Sequence, residues 1–293
     1  MPFAPRPHFD WHLRTRTLPL GRRTLLMGIL NVTPDSFSDG GHFYSPQNEP
    51  ARAVAHALQM LDEGADLLDI GGESTRPNAT PLIPEEEQSR ILPVIEAILK
   101  QRPQTILSID TYHATTAQCA IEAGVEIVND VSGHLWDPTM SQTCAQLGCG
   151  AILMHTRGRP QDWPRQPRLD EAEVLPLVLE GLRDRLEAAT AAGIPRNKIV
   201  LDPGFGFGKR LDENDPLLAH LDALHQLHQP ILAGLSRKSF LARAGEDPGA
   251  SRIQATTAAN TAAILAGVHI LRVHDVRPAA EAAAIADRIL AAV

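Results

Sequence analysis

The chain has 293 residues, 43% of them hydrophobic and 21% charged, which is enough apolar material for one sizeable core and excludes a disordered chain. Its formal net charge of −8 argues against a nucleic-acid surface, so any anionic ligand must be held by a few locally placed Arg and Lys residues. No apolar run approaches the roughly 18 residues of a membrane span, and residues 1–20 carry Arg6, His8, Asp10 and Arg14 without an apolar h-region, so a cytoplasmic protein with no membrane partner is expected.

Taken in chain order, short apolar runs alternate with amphipathic stretches, and the alternation occurs eight times. Strands are expected at 25–30, 66–70, 106–109, 126–128, 151–154, 199–201, 231–233 and 269–273. Helices are expected between them. Residues 51–63 place Val54, Leu58 and Leu61 on one face, and 85–100 do the same with Ile91, Ile95 and Ile98. Further helical patterns cover 115–123, 138–147, 173–192, the Leu217–Leu221–Leu224 stripe, 252–266 and 279–293. The fifth ends at Gly193-Ile194-Pro195, a helix stop.

Eight strand–helix units at roughly 30-residue spacing predict parallel strands with helical crossovers, closed as a (β/α)8 TIM barrel of the α/β class. Residues 23–293 form the barrel in this reading, and residues 1–22 are a short extension capping its N-terminal end. Cys119, Cys144 and Cys149 cannot all pair and none lies in a CxxC, so they read as reduced, mostly buried thiols.

Active sites of such barrels form where the strands run out. Those positions hold Asn31, Glu73, Asp110, Asn129, His155, Asp202, Ser236 with Lys238, and Arg272 with His274. Asp110, Asn129 and Asp202 suit a planar heterocycle that presents several N–H donors. Arg76, Arg272 and Arg237, with Asn31 and His274, suit a phosphate or diphosphate. A salt-bridge network at the barrel mouth is the structural alternative. Two long connections, 32–48 and 71–84, read as covers for a substrate.

Two other signals are weak. Gly204-Phe205-Gly206-Phe207-Gly208-Lys209 is neither GxGxxG nor a Walker loop and reads as a flexible loop after Asp202. His220, His225 and His228 fall on one expected helix and read as its solvated face rather than a metal site.

The run from Gly28 to Gly40, with Asn31-Val32-Thr33-Pro34-Asp35 at its centre, resembles the first signature of the dihydropteroate synthase family. Asp69-Ile70-Gly71-Gly72-Glu73-Ser74-Thr75-Arg76-Pro77 resembles the second. Ser108-Ile109-Asp110-Thr111, Asn129-Asp130-Val131-Ser132, Met154-His155, Asp202-Pro203-Gly204, Ser236-Arg237-Lys238-Ser239 and Arg272-Val273-His274 follow in the family's order. The resemblance implies transfer of a dihydropterin methylene from diphosphate to the amine of 4-aminobenzoate, with Mg2+ as cofactor. It implies Asp110, Asn129, Asp202 and Lys238 on the pterin, and Asn31, Arg272 and His274 on the diphosphate with Asn31 ligating the metal. Thr75, Arg76, Pro77, Phe207 and Ser236 would shape the aminobenzoate pocket, and Asp110, Lys238, Arg272 and His274 would carry the catalysis. A homodimer is the family expectation. Asn78, Thr156 and Phe240 depart from the family pattern without removing any of these positions. A pterin-dependent methyltransferase would lack the Thr33–Gly41 and Ser74–Pro77 loops. A catalytically silent pterin-binding paralogue is the other alternative.

Overall fold

The computed structural model describes residues 5–33, 49–73, 81–242 and 252–292. An antiparallel hairpin comes first, β1 (Phe9–His12) with β2 (Thr17–Leu20). The barrel strands follow: β3 (Leu25–Asn31), β4 (Leu67–Gly71), β5 (Ile106–Asp110), β6 (Ile127–Asp130), β7 (Gly150–Met154), β8 (Ile199–Asp202), β9 (Leu232–Ala233) and β10 (Ile270–Val273). All neighbours are parallel, in the order β8-β7-β6-β5-β4-β3-β10-β9. A parallel bridge between Leu201 and Ile231 joins the two edges, so the sheet closes. The (β/α)8 barrel expected from the alternation is the fold observed.

The helices are α1 (Glu49–Asp62), α2 (Pro84–Gln101), α3 (Ala114–Glu122), α4 (Met140–Leu147), α5 (Glu171–Ala191), α6 (Asn214–Ala219), α7 (Ile253–Leu265) and α8 (Val276–Leu290). The sixth crossover differs from expectation. Helix α6 stops at His220, and Leu221–Leu227 continues as a 3-10 helix. Leu221, Leu224 and Leu227 are all buried, and their three-residue spacing is the 3-10 period. The three histidines therefore do not share one face. His220 and His228 are exposed, whereas the half-buried His225 places Nε2 3.3 Å from the Ala266 carbonyl and packs edge-on to His269. No described helix is long and apolar enough to cross a membrane.

Alternation along the strands divides the core in two. Leu26, Leu68, Ile70, Leu107, Val128 and Leu271 face outward and pack with the helices. Leu25, Met27, Leu67, Ile106, Ile127, Ile152, Val200, Leu232 and Ile270 face inward and form an apolar floor with Trp11, Leu13 and Leu20 of the hairpin. The extension is fastened at several points. The Trp11 indole Nε1 donates to the Lys198 carbonyl at 2.9 Å, and Lys198 Nζ donates to the Leu13 carbonyl at 2.9 Å. Arg6 pairs with Asp287 at 2.9 Å, and His269 Nε2 lies 2.9 Å from the Pro7 carbonyl.

Candidate active site

Above the apolar floor, the same inward parity delivers polar side chains. One register step on, Asp69 on β4 stands across from Ser108 on β5, and Asp110 stands across from Asn129 on β6. Arg272 enters from β10 and Asp202 from β8. The site is thus made by the alternation that makes the floor, continued to the C-terminal ends of the strands.

Arg272 is its electrostatic centre. Its Nε donates to Asp69 Oδ2 at 2.6 Å, and its Nη2 donates to Asp110 Oδ2 at 2.5 Å. Asn129 Nδ2 donates to the same Asp69 oxygen at 2.9 Å. Burial acts to lower the Arg272 pKa, but Asp69 and Asp110 outweigh it and raise it, so the guanidinium stays charged. Burial pushes Asp110 up to about 7 against the pull of Arg272, with Asp69 adding to the rise. Burial also raises Asp202, opposed by a 2.7 Å hydrogen bond from the Gly204 N–H and by Lys238, Arg272 and Lys209.

Lys238 follows β9 and holds its ammonium 4.2 Å from the centre of the Phe207 ring. Burial lowers it to about 8, and the attraction of Asp202 limits the fall. Ser236 sits beside His274. The backbone N–H of His274 donates to Ser236 Oγ at 3.2 Å, and that oxygen lies 3.0 Å from His274 Nδ1. Burial and the neighbouring Arg272 push His274 down to about 3, so the ring is neutral at physiological pH.

The glycine-rich loop after β8 is pinned rather than slack, which corrects the expectation of a flexible loop. Gly206 N–H donates to Asn214 Oδ1 at 2.7 Å, and the buried Lys209 donates to the Gly204 carbonyl at 2.8 Å. Gly204 has φ +68, and a Cβ there would lie 2.0 Å from the His155 carbonyl oxygen, so only glycine fits. The loop thereby holds Phe207 against Lys238 and edge-on to Trp163 at 5.4 Å.

Of the expected site residues, Asn31, Asp110, Asn129, Asp202, Phe207, Ser236, Lys238, Arg272 and His274 all lie at the C-terminal mouth. Thr75, Arg76 and Pro77 lie outside the described residues, as does most of the 32–48 connection. Arg237 does not join the anion group. Its backbone takes φ +58, and its side chain lies at the rim with Nε 3.0 Å and Nη2 2.6 Å from the Asp275 carboxylate. His155 is buried against Gly181 of α5 rather than facing the mouth. Glu73 leaves the barrel centre and accepts from the Tyr112 hydroxyl at 2.6 Å. Asp69 lies outside the residues expected from the sequence, because strand-exit logic places the end of β4 at Glu73. The available signal was a carboxylate inside a five-residue apolar strand, at the inward parity of Leu67.

A family model described as "Pterin binding enzyme" matches residues 27–274. The chain is 40% identical to a Bacillus subtilis dihydropteroate synthase over 279 residues, covering 95% of this chain and 93% of that protein. It is similar to the solved structure of Xanthomonas albilineans dihydropteroate synthase with 4-aminobenzoic acid (41% identity, TM-score 0.85, 98% of this chain and 99% of that one). It is equally similar to Yersinia pestis dihydropteroate synthase in complex with a sulfonamide drug (40% identity, TM-score 0.87, 98% of this chain and 100% of that one). With these matches laid over a barrel mouth of this composition, the chain belongs to the dihydropteroate synthase family of pterin-binding enzymes, transferases of folate biosynthesis.

Proposed function

We propose that the barrel mouth condenses 6-hydroxymethyl-7,8-dihydropterin diphosphate with 4-aminobenzoate, and that its residues divide the work as their chemistry suggests. The observation that carries this reading is the polar layer itself: Asp110, Asn129 and Asp202 around two half-buried cations, Arg272 and Lys238, above a closed apolar floor. Asp110, Asn129 and Asp202 present acceptors and one amide to the donor edge of a pterin, and Lys238 supplies a cation beside the ring. Phe207 and Ser236, next to Lys238 and His274, form the wall against which an aromatic amine would lie. Thr75, Arg76 and Pro77 complete that pocket in this proposal.

The diphosphate would meet Arg272 and His274, one cationic group and one neutral ring. Asn31 Oδ1 and Asp110 Oδ2 each lie 3.8 Å from the point a Cβ on Gly71 would occupy. The Asn31 side-chain oxygen is a hard neutral donor close to that carboxylate, the kind of ligand that suits a magnesium ion which takes few protein ligands and completes its shell from phosphate and water. Asn31 would hold it. When bound, Mg2+ neutralises charge on the leaving diphosphate.

The amine nitrogen forms its bond to the pterin methylene as the carbon–oxygen bond to diphosphate breaks. The electron pair of that bond leaves with the phosphate oxygen, and the new ammonium loses one proton. An arylamine is a weak nucleophile, so most of the rate enhancement is assigned to leaving-group stabilisation by Arg272 and His274. In the same reading the protein acts in the cytoplasm as a homodimer, which light scattering of the purified protein would test.

The deciding assay combines purified protein, the pterin diphosphate, 4-aminobenzoate and Mg2+, and measures diphosphate release. Release that depends on the amine supports the proposal, and Arg272→Ala should lower it by about 10²-fold or more. Release that ignores the amine, or an Arg272→Ala protein with unimpaired turnover, contradicts it.

A further inference from the structure

We propose that Asp69 is a positioning residue, the pivot on which Arg272 turns: its carboxylate fixes Arg272 at Nε and Asn129 at Nδ2, leaving the Nη end of the guanidinium to pass from Asp110 to the departing diphosphate. This rests on the reading that Arg272 grips the diphosphate.

The two carboxylates that share Arg272 are not equivalent. Asp69 has no exposed side-chain surface, whereas the Asp110 side chain is 15% exposed and the Arg272 side chain 20%. Asp69 lies in the middle of β4, and Asp110 is the last residue of β5. Both of the donors on Asp69, Arg272 at 2.6 Å and Asn129 at 2.9 Å, reach the single oxygen Oδ2. Its other oxygen, Oδ1, is buried with no hydrogen-bond partner among the described residues, and so is Ser108 Oγ, whose residue stands directly across the strand pair. The one other donor on Asp69 is the neutral Asn129 amide, so among the described residues Arg272 is the only cation that the carboxylate holds.

Taking Arg272 away from Asp69 would leave a buried carboxylate without its cation, the strongly unfavourable case for an ion pair. Taking it away from Asp110 leaves a carboxylate at the open end of the barrel, where the donor edge of a heterocycle can replace the lost hydrogen bond. The Asp110 bond is therefore the one that opens, and the Asp69 bond is the one that holds. No hydrogen bond to Arg272 Nη1 is present among the described residues, so that end of the fork is available to an anion. Asn129 hangs on the same oxygen, which couples the pterin-facing amide to the phosphate-facing guanidinium through one atom.

The test is a double-mutant cycle on diphosphate release, with Asp69→Asn, Arg272→Lys and the double variant. Asp69→Asn keeps the shape and removes the charge. It should lower kcat about 10²-fold, with KM for 4-aminobenzoate within about threefold, since a misplaced group rather than lost amine binding is responsible. The double variant should lose clearly less than the product of the two single losses, because the arginine arm of the pivot is already gone and only the hold on Asn129 remains. Full kcat in Asp69→Asn, or losses that multiply in the double variant, would overturn the pivot. Full activity in Arg272→Lys would instead overturn the reading of Arg272 beneath it.

A second measurement needs no folded Asp69 variant. In the unsubstituted protein the Arg272 Nε–H resonance, identified by its disappearance in Arg272→Lys, should be protected from hydrogen exchange. That protection should survive saturation with inorganic diphosphate and Mg2+. Protection lost on adding diphosphate would mean that Arg272 leaves Asp69, and the pivot would be wrong.

Discussion

Trp11 offers the clearest separation of stability from chemistry. The indole is 1% exposed, packs with Leu13 and Leu20 against the inward floor of the barrel, and donates to the Lys198 carbonyl. Truncating a buried aromatic costs about 3–5 kcal/mol, so about 4 kcal/mol is expected for Trp11→Ala. At about 2.1 cal/mol/K per residue, the 293-residue chain has an unfolding entropy of about 0.6 kcal/mol/K, which converts 4 kcal/mol into a fall in Tm of about 6–7 °C. Trp11→Phe keeps most of the packing and loses the hydrogen bond, so it should cost about 1 kcal/mol and lower Tm by about 2 °C. Both proteins should keep kcat within about twofold at 25 °C, because the tryptophan lies at the opposite end of the barrel from the polar layer. Scanning calorimetry and steady-state kinetics on the same preparations check this. A Tm change below about 2 °C for Trp11→Ala would refute the assignment of the hairpin as the barrel's floor. So would a tenfold loss of kcat with unchanged Tm.

Three further outcomes are expected. Lys238 is pushed down to about 8 by burial, so its charge is lost as pH rises through that value. Accordingly kcat/KM for the pterin diphosphate should fall above pH 8, and in Lys238→Arg that alkaline limb should move beyond pH 10. Gly181→Ala adds helix propensity of about 1 kcal/mol, but its Cβ would lie 2.6 Å from the ring of the buried His155, an overpacking that costs about 1–3 kcal/mol. Denaturant unfolding should therefore report a net loss, and a gain in stability would show that His155 yields. His269 is pushed down to about 3 by burial while its ring bridges the Ile231 N–H and the Pro7 carbonyl. A depressed histidine contributes stability that is present above its ordinary pKa of about 6.5 and is lost as pH falls from there toward 3. Between pH 7 and 5 the unsubstituted protein should thus lose about 2 kcal/mol more than His269→Gln, read from urea unfolding at each pH.

The fold was legible because each barrel strand is a short apolar run that gives way to a polar side chain at or just beyond its end. Asn31, Asp110, Asn129, Asp202 and Arg272 each stand at such an exit, and strand ends and functional positions coincide in this architecture. Asp69 escaped because the same logic looks only at exits. Its position inside the Leu67–Gly71 run made it look like part of the core, and only the inward parity shared with Leu67 places it in the site. The hairpin escaped for another reason. Phe9, Trp11 and Leu13 alternate with polar residues as a strand should, but the turn before Thr17 contains neither Gly nor Pro and gives no turn signal. The 3-10 segment after α6 is not visible in the sequence, because leucines three apart satisfy an α-helical spacing as well as a 3-10 one. Arg237 illustrates a limit of another kind: adjacency to Lys238 does not reveal a left-handed backbone that turns the side chain toward Asp275.

A barrel sealed at its base by Trp11, Leu13 and Leu20 is, among the described residues, a well that opens at the far end alone. In the proposed assignment the pterin occupies the depth beside Asp110, Asn129 and Asp202, while the amine lies nearer the rim against Phe207. Traffic through a single opening imposes a queue. The heterocycle has to arrive before the amine, and an amine analogue seated at the rim would trap whatever lies beneath it. Dead-end inhibition by an unreactive arylamine should then be uncompetitive toward the pterin diphosphate and competitive toward 4-aminobenzoate, a kinetic signature of architecture rather than of any single contact.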